Sequence, residues 1–198
     1  MEVVIDFETT GLCPFTCEPI QICMMVLEGG ENKIWYIDTE KPPEEWAEWP
    51  RNNMEKNIPQ WKTMKKPMAD VMEEIFKWIG PHKMLTFIAH NAPFDYAFWK
   101  QMLFKTKMKE PGRWYWHDTA SIQRQLALRT QLLPYNHKKK VSFKTINLKG
   151  ACEKYDIKNE QAHNALGDVL ATAELFKKQT TKFIVGTNGR LKVKKEPK

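Results

Sequence analysis

Apolar and polar positions fall along this chain in blocks, and the blocks predict its elements. Val3-Val4-Ile5-Asp6-Phe7-Glu8 is a β-branched, apolar run that leads into a Thr9-Thr10-Gly11 turn, the pattern of a short buried strand. Two more apolar runs follow, Ile20 to Leu27 and Lys33 to Asp38, separated by the turn signal Glu28-Gly29-Gly30-Glu31-Asn32. Three strands joined in this way predict an antiparallel meander. Met68 to Ile79 is apolar at 68, 71, 72, 75, 76 and 79, a helical stripe, and Gly80-Pro81 ends it. Met84 to Ala89 predicts a fully buried fourth strand, and Pro93 suits the first turn of a helix running from Phe94 to Phe104. Trp114 to His117 predicts a fifth strand, with Asp118-Thr119 capping a helix to about Arg129. Ser142 to Tyr155 reads as an interrupted helix. Leu166, Val169, Leu170, Ala173 and Phe176 mark a strong final helix to about Thr181. Strands first, then alternating strands and helices, predict an α/β domain with one mixed sheet flanked by helices.

Three stretches break the pattern. From Thr39 to Lys66, Pro42, Pro43, Pro50 and Pro59 stand among Trp46, Trp49 and Trp61. That composition predicts an irregular insertion, or short helices on the surface, with tryptophans that pin the segment or stack bases. Asn136 to Val141 is a polar loop containing Lys138-Lys139-Lys140. Residues 183–198 form a basic tail, expected to be mobile from Gly186 onward. The main domain is thus expected over residues 1–182.

Composition narrows the class. At 198 residues, 42% apolar and 12% aromatic, the chain fits one globular domain. No apolar run approaches the roughly 20 residues of a membrane span, and no leader pattern precedes the first strand. The expectation is an intracellular, cytoplasmic protein with no membrane partner. Cys13, Cys17, Cys23 and Cys152 form no Cys-x-x-Cys pair, so reduced thiols are the plainer reading than zinc. The net charge of +7 is uneven: residues 136–198 hold 15 Lys+Arg against 6 Asp+Glu, and residues 1–135 hold 16 against 18. The basic third favours a nucleic-acid partner over a membrane surface, because no basic stretch carries an interfacial apolar stripe. Lysine outnumbers arginine 26 to 5, which favours phosphate contact over base reading.

The candidate chemistry sits where apolar elements end in acids. Side chains two apart on a strand share a face, so Asp6 and Glu8 stand side by side, about 6–7 Å apart along the backbone. Phe7 and Ile5 point the other way. Two such carboxylates at the end of a buried strand need a proton or a cation to compensate them, and hard divalent ions take carboxylate oxygen. Asp95 follows the fourth strand at the start of a helix, where α/β folds collect ligands. Asp168 borders the apolar stripe of the final helix, and a half-buried carboxylate there needs a partner. His163, five residues earlier, lies about 140° around an ideal helix from it, so it belongs to the helix entry and leans over the same cleft. Four carboxylates and one histidine, each at an element end, make two-metal chemistry plausible.

Asp6-Phe7-Glu8-Thr9-Thr10-Gly11-Leu12 resembles the first motif of the DEDD, or DnaQ-like, exonuclease superfamily. His90-Asn91-Ala92-Pro93-Phe94-Asp95 resembles the second, and His163-Asn164-Ala165-Leu166-Gly167-Asp168 the third, in its histidine (DEDDh) form. The tyrosine form would need Tyr at position 164. Asp118-Thr119 falls where relatives often carry an Asp-Thr pair. The resemblance implies an RNase H-like fold with a mixed five-stranded sheet whose first three strands are antiparallel. It also implies 3′→5′ exonuclease action with two Mg²⁺ or Mn²⁺ ions about 3.5–4 Å apart. Carried over, Asp6, Glu8 and Asp168 hold one ion, and Asp6 bridges to a second that Asp95 assists. His163 takes the proton from the attacking water, which imidazole can do near neutral pH. Thr9, Thr10 and Leu12 meet the terminal nucleotide, and Asn91, with His90 and Phe94 of the same motif, the sugar or phosphate.

The expected substrate is a single-stranded 3′ end, DNA favoured and RNA open. The alternatives are a catalytically silent nucleic-acid-binding module and a proofreading subunit riding on a DNA polymerase. Homodimers are frequent in the family, without an interface signal here.

Overall fold

The structure is a computed structural model of the whole chain, described at residues 1–82, 84–110, 112–132, 147–159, 162–180, 183–185 and 191–193. A five-stranded sheet forms its middle layer, from β1 (Glu2–Thr9), β2 (Pro19–Val26), β3 (Asn32–Tyr36), β4 (Met84–Ala89) and β5 (Arg113–Asp118), in the order β3-β2-β1-β4-β5. β1, β2 and β3 pair antiparallel as the meander predicts, while β4 joins β1 parallel and β5 joins β4 parallel. The fold is the mixed, helix-flanked sheet that the sequence pattern predicts.

The period of two along β1 decides what each face buries. Val3, Ile5 and Phe7 enter the larger core, with Ile22, Met24 and Phe87. Val71, Met72, Ile75 and Ile79 of α3 (Met68–Ile79) close that core, together with Phe98, Trp99, Met102 and Leu103 of α4 (Ala92–Thr106). Val4 points the opposite way, into a second core with Cys23, Met25 and Ile88. Ala165, Val169, Ala173 and Phe176 of α7 (Ala165–Thr180) cover it. Asp6 and Glu8 share Val4's face of the strand, so they lie on the side of the sheet that α7 covers.

Between β3 and α3 the chain forms a 3₁₀ turn (Pro43–Glu45), then α1 (Glu48–Met54) and α2 (Ile58–Met64). Prolines that read as helix breakers stand in the first turns of these helices, Pro50 in α1 and Pro59 in α2, where a missing N–H costs nothing. The segment has its own small core, in which Trp46, Met54 and Trp61 pack on Ile20 and Tyr36 of the sheet. Trp61 Nε1 donates to the Ile37 carbonyl at 2.7 Å and Trp46 Nε1 to the Lys41 carbonyl at 3.0 Å. Those two tryptophans are pins; Trp49 is not, and stays 57% exposed.

After β5 come α5 (Thr119–Leu132) and α6 (Leu148–Lys154), which Asn147 caps through Gly150 N–H; the part of the expected helix from Ser142 to residue 146 lies outside the described residues. The Lys138-Lys139-Lys140 loop lies outside the described residues. Within the basic tail, β6 (Phe183–Val185) pairs antiparallel with β7 (Leu191–Val193); its other residues lie outside the described ones. Among the described residues no helix is long and apolar enough to cross a membrane.

Candidate active site

Strand β1 ends in the site. Asp6 and Glu8, carried on the strand, meet Asp168 from the first turn of α7, with one carboxylate oxygen of each lying within 4.8 Å of the others. α7 reaches them because Gln21, opposite Glu8 on β2, accepts a 3.3 Å hydrogen bond from the Ala165 amide at the helix start. Asn159 Nδ2 donates to Asp168 Oδ1 at 2.6 Å, and the His163 amide donates to Oδ2 at 3.2 Å. The carboxylate of Asp168 is therefore aimed from both oxygens.

Asp95 arrives from the far side of β1. It is buried in the first turn of α4, and its Oδ1 accepts the Phe7 amide at 3.2 Å, between the two strand carboxylates. It stands outside the tight group of three but close enough to Asp6 for the two charges to repel. A helix N-terminus also favours an acid in that place.

The turn before α4 is built for this purpose. Asn91 is left-handed, with φ of 67°, and leaves the first helical amides facing Asp118. Asp118 Oδ1 accepts from Asn91 N–H at 2.8 Å, Ala92 N–H at 3.3 Å and Ala120 N–H at 3.0 Å, while Oδ2 accepts from Ser121 Oγ at 2.6 Å. Burial works against the Asp118 charge, but the Ser121 hydroxyl and the three amides overcome it and hold the carboxyl below its usual range. Asp118 thus ties β5, α5 and α4 into one corner.

The four clustered acids behave in the opposite way. Burial first, and then Asp95, Glu8 and Asp168 as like charges, push Asp6 well above the ordinary carboxylate range. Burial and Asp168 push Glu8 up to about 8. Asp95 rises mainly through burial, against the lowering effect of its amide bonds, and Asp168 rises through burial despite its bonds from Asn159 and His163. Cys23, paired across from Asp6, is pushed up to about 12 by burial and by that carboxylate, so it stays a thiol. The donor set is oxygen only, buried and short of positive charge. That fits a hard divalent cation, which supplies the compensation that protons otherwise give.

His163 stands two residues before α7 with φ of 64°, outside the helix as expected. Its ring meets Trp49 edge to face at 5.2 Å between centroids. Of the remaining expected residues, Leu12 projects 74% exposed, whereas Thr9 and Thr10 are buried. Thr9 Oγ1 donates to the Gly11 carbonyl at 2.7 Å, and Thr10 Oγ1 accepts the Glu18 amide at 2.9 Å. Both hydroxyls thus shape the turn that presents Leu12. Thr119 Oγ1 donates to the Ala89 carbonyl at 3.2 Å, so His90 Nδ1 is the donor in its 2.9 Å bond to the same hydroxyl. Asn91 is exposed at the helix start, and Phe94 packs on Phe98 at 5.0 Å. The structure therefore gathers the five motif residues at one place and gives Thr9, Thr10, His90 and Phe94 contacts within the protein. Gln21 and Asn159 escaped the sequence reading. Gln21 had a signal, a polar residue inside an apolar strand; Asn159 had none.

A family model described as Exonuclease (RNase_T) matches residues 3–176. The chain belongs to this exonuclease family. Its sequence is 28% identical over 174 residues to DNA polymerase III PolC-type of Thermotoga maritima, and 30% identical over 187 residues to that of Bacillus subtilis. The match covers 88% and 89% of this chain but 11% of each polymerase, so the chain spans about a ninth of these relatives' length. Among solved structures, E. coli exonuclease I in complex with a dT13 oligonucleotide superposes with a TM-score of 0.69 at 21% identity. The likeness covers 91% of this chain and 41% of that one. The zinc-bound form of the E. coli exonuclease I–single-stranded DNA complex gives 0.67 at 18% identity, again over 91% of this chain and 41% of that one. Those likenesses establish the shared RNase H-like fold of the exonuclease domain.

Proposed function

We propose that this exonuclease domain removes nucleotides from single-stranded 3′ ends, DNA favoured, with two divalent cations, Mg²⁺ or Mn²⁺. The observation that carries the reading is the convergence of Asp6, Glu8 and Asp168 oxygens within 4.8 Å, with Asp95 bound to the amide between the two strand acids. Asp6, Glu8 and Asp168 would hold one ion, and Asp95 with Asp6 would assist a second. When bound, the ions polarise the scissile phosphate and stabilise charge on the attacking and leaving oxygens.

The chain's own residues do the rest. A water attacks phosphorus as its proton passes to the His163 imidazole, the bond from phosphorus to the 3′ oxygen breaks, the terminal nucleotide leaves as its 5′-monophosphate, and the departing 3′ oxygen takes a proton from solvent. Leu12 stands exposed to wedge against the terminal base, and Asn91, exposed at the start of α4, meets the sugar or phosphate. Thr9 and Thr10 hold the turn that presents Leu12 to that nucleotide. The excess of lysine gives sequence-tolerant phosphate contact with a steep salt dependence.

The test uses 5′-labelled single-stranded DNA, single-stranded RNA and duplex DNA, each with Mg²⁺ or with EDTA. The expected result is a ladder shortening from the 3′ end of single-stranded DNA, absent with EDTA and absent for Asp6→Ala. Equal ladders from both proteins would mean a contaminant. His163→Ala is expected to keep substrate binding and lose turnover; undiminished turnover would remove the proton-acceptor role. The PolC-type relatives favour a second reading, service beside a DNA polymerase, which preferential removal of a mismatched 3′ nucleotide from a primed duplex would support.

A further inference from the structure

We infer that Trp49, in the segment 39–66, is a positioning residue that sets the orientation of the His163 imidazole. The inference rests on the exonuclease reading above and extends it to a residue that no part of the three motifs contains.

The imidazole needs an external hold. His163 lies outside α7, its φ of 64° is a left-handed conformation that non-glycine residues seldom adopt, and the residue is exposed. Its amide is fixed to Asp168 Oδ2 at 3.2 Å, which places the backbone and leaves the ring free to turn about its side-chain bonds. The ring's aromatic neighbour among the described residues is Trp49, at 5.2 Å between centroids and 80° between planes. That is the edge-to-face geometry aromatic pairs prefer.

The mount that carries Trp49 is stiff. Ala47, at the start of α1, donates its amide to the Thr10 carbonyl at 2.9 Å. A Cβ built on Gly11 would lie 3.6 Å from Ala47 Cβ, so the segment abuts the turn that follows the metal-site strand. Pro50 and Met54 of the same helix are buried, and Trp46 and Trp61 pack edge to face at 5.1 Å beneath it. Trp49 alone of these three tryptophans leaves more than half its surface open, at 57%. Here the helix that buries Pro50 and Met54 holds Trp49 against the His163 ring at the edge of the site.

The experiment combines a spectroscopic and a kinetic readout. The chain has five histidines, and His163→Ala identifies which ring signal in a ¹H–¹³C spectrum is that of His163. In the wild type that signal is expected to be displaced by the indole ring current. Trp49→Ala should return it toward the position of a free imidazole, and Trp49→Phe should keep part of the displacement. On single-stranded DNA, Trp49→Ala should lower kcat about 3- to 10-fold with KM changed less than about twofold, the scale of one aromatic pair. Trp49→Phe should recover most of that loss. An unmoved His163 signal in Trp49→Ala overturns the inference. So does a loss confined to KM, which would make Trp49 a platform for the strand instead. A wild-type protein inert on every strand overturns the exonuclease reading and this inference together, whereas an active wild type with an equally active Trp49→Ala overturns this inference alone.

Discussion

The carboxylate site and the segment that follows β3 touch at Thr10 and Ala47, yet they are stabilised in opposite ways. In the site, four acids are brought together at the ends of stiff elements, three of them within 4.8 Å, and burial and mutual repulsion push their proton affinities up. In the segment 39–66, tryptophans fill a private core and donate to backbone carbonyls. The first region costs folding energy unless a cation or protons offset its charge; the second gains energy from burial alone. The proposed chemistry is concentrated where folding is opposed, and the packed segment beside it is tied to the turn after β1 through Ala47 and Thr10.

The widest gap between the two regions should appear in Asp6→Asn. The substitution removes a buried ionisable group and leaves the shape. Exonuclease activity is expected to fall by about 1,000-fold or more, as for groups that act as one catalytic unit. Melting of the metal-free protein at pH 8 is expected to move upward, because an amide needs neither the proton nor the repulsion that burying Asp6 among the other acids costs. A thermal melt beside a strand-shortening assay reads both signs. A variant that is inactive and also less stable would show that Asp6 supports the fold, and the contrast between the regions would collapse.

Trp61→Ala should do the reverse. Trp61 is buried against Trp46 and Met54, and its Nε1 bonds the Ile37 carbonyl. Its removal is expected to cost about 3–5 kcal/mol of stability, read by urea unfolding. Below its own melting point the variant should still respond to Mg²⁺, since it carries none of the four acids. Loss of the Mg²⁺ response in a folded variant would mean that the segment shapes the acids directly.

The two regions were also unequally legible in the sequence. Asp6 and Glu8 interrupt an apolar strand at a spacing of two, so strand periodicity alone puts them on one face, and the cores confirm which face that is. Asp95 is legible because it follows a buried strand at the start of a helix, and Asp168 because it borders the apolar stripe of the final helix. His163 was harder. Helical spacing shows only where it is not, and its bond to Asp168 follows from a left-handed residue that local rules do not predict. Trp49 was legible as one exposed or buried tryptophan among three, and nothing local distinguishes it. Its contact with His163 depends on where α1 is set down, which Ala47, Thr10 and Gly11 decide through tertiary contact. The prolines point to short helices, and the segment forms two of seven residues each, with Pro50 and Pro59 in their first turns.

The smallest of these effects is the linkage between protons and cations, and it tests the electrostatic half of the comparison most directly. Glu8 ordinarily titrates near about 4.3 and is pushed up to about 8 in the folded chain. Between those values the folded state binds more protons than the unfolded one, so the stability of the metal-free protein falls as pH rises through that window. Asp6, Asp95 and Asp168 shift in the same direction and steepen the fall. A divalent cation must displace those protons, so it binds better at the upper end of the window. Saturating Mg²⁺ or Mn²⁺, at about 100 times its dissociation constant, adds roughly 2.7 kcal/mol, a rise in Tm of about 5–10 °C for a chain of this size. That rise should be present at pH 8 and less than half as large at pH 5, and Asp6→Asn should show little of it at either pH. A Tm of the metal-free protein that climbs from pH 5 to pH 8 would mean the acids are already neutralised by groups within the chain, and the site would then have no electrostatic demand for a cation.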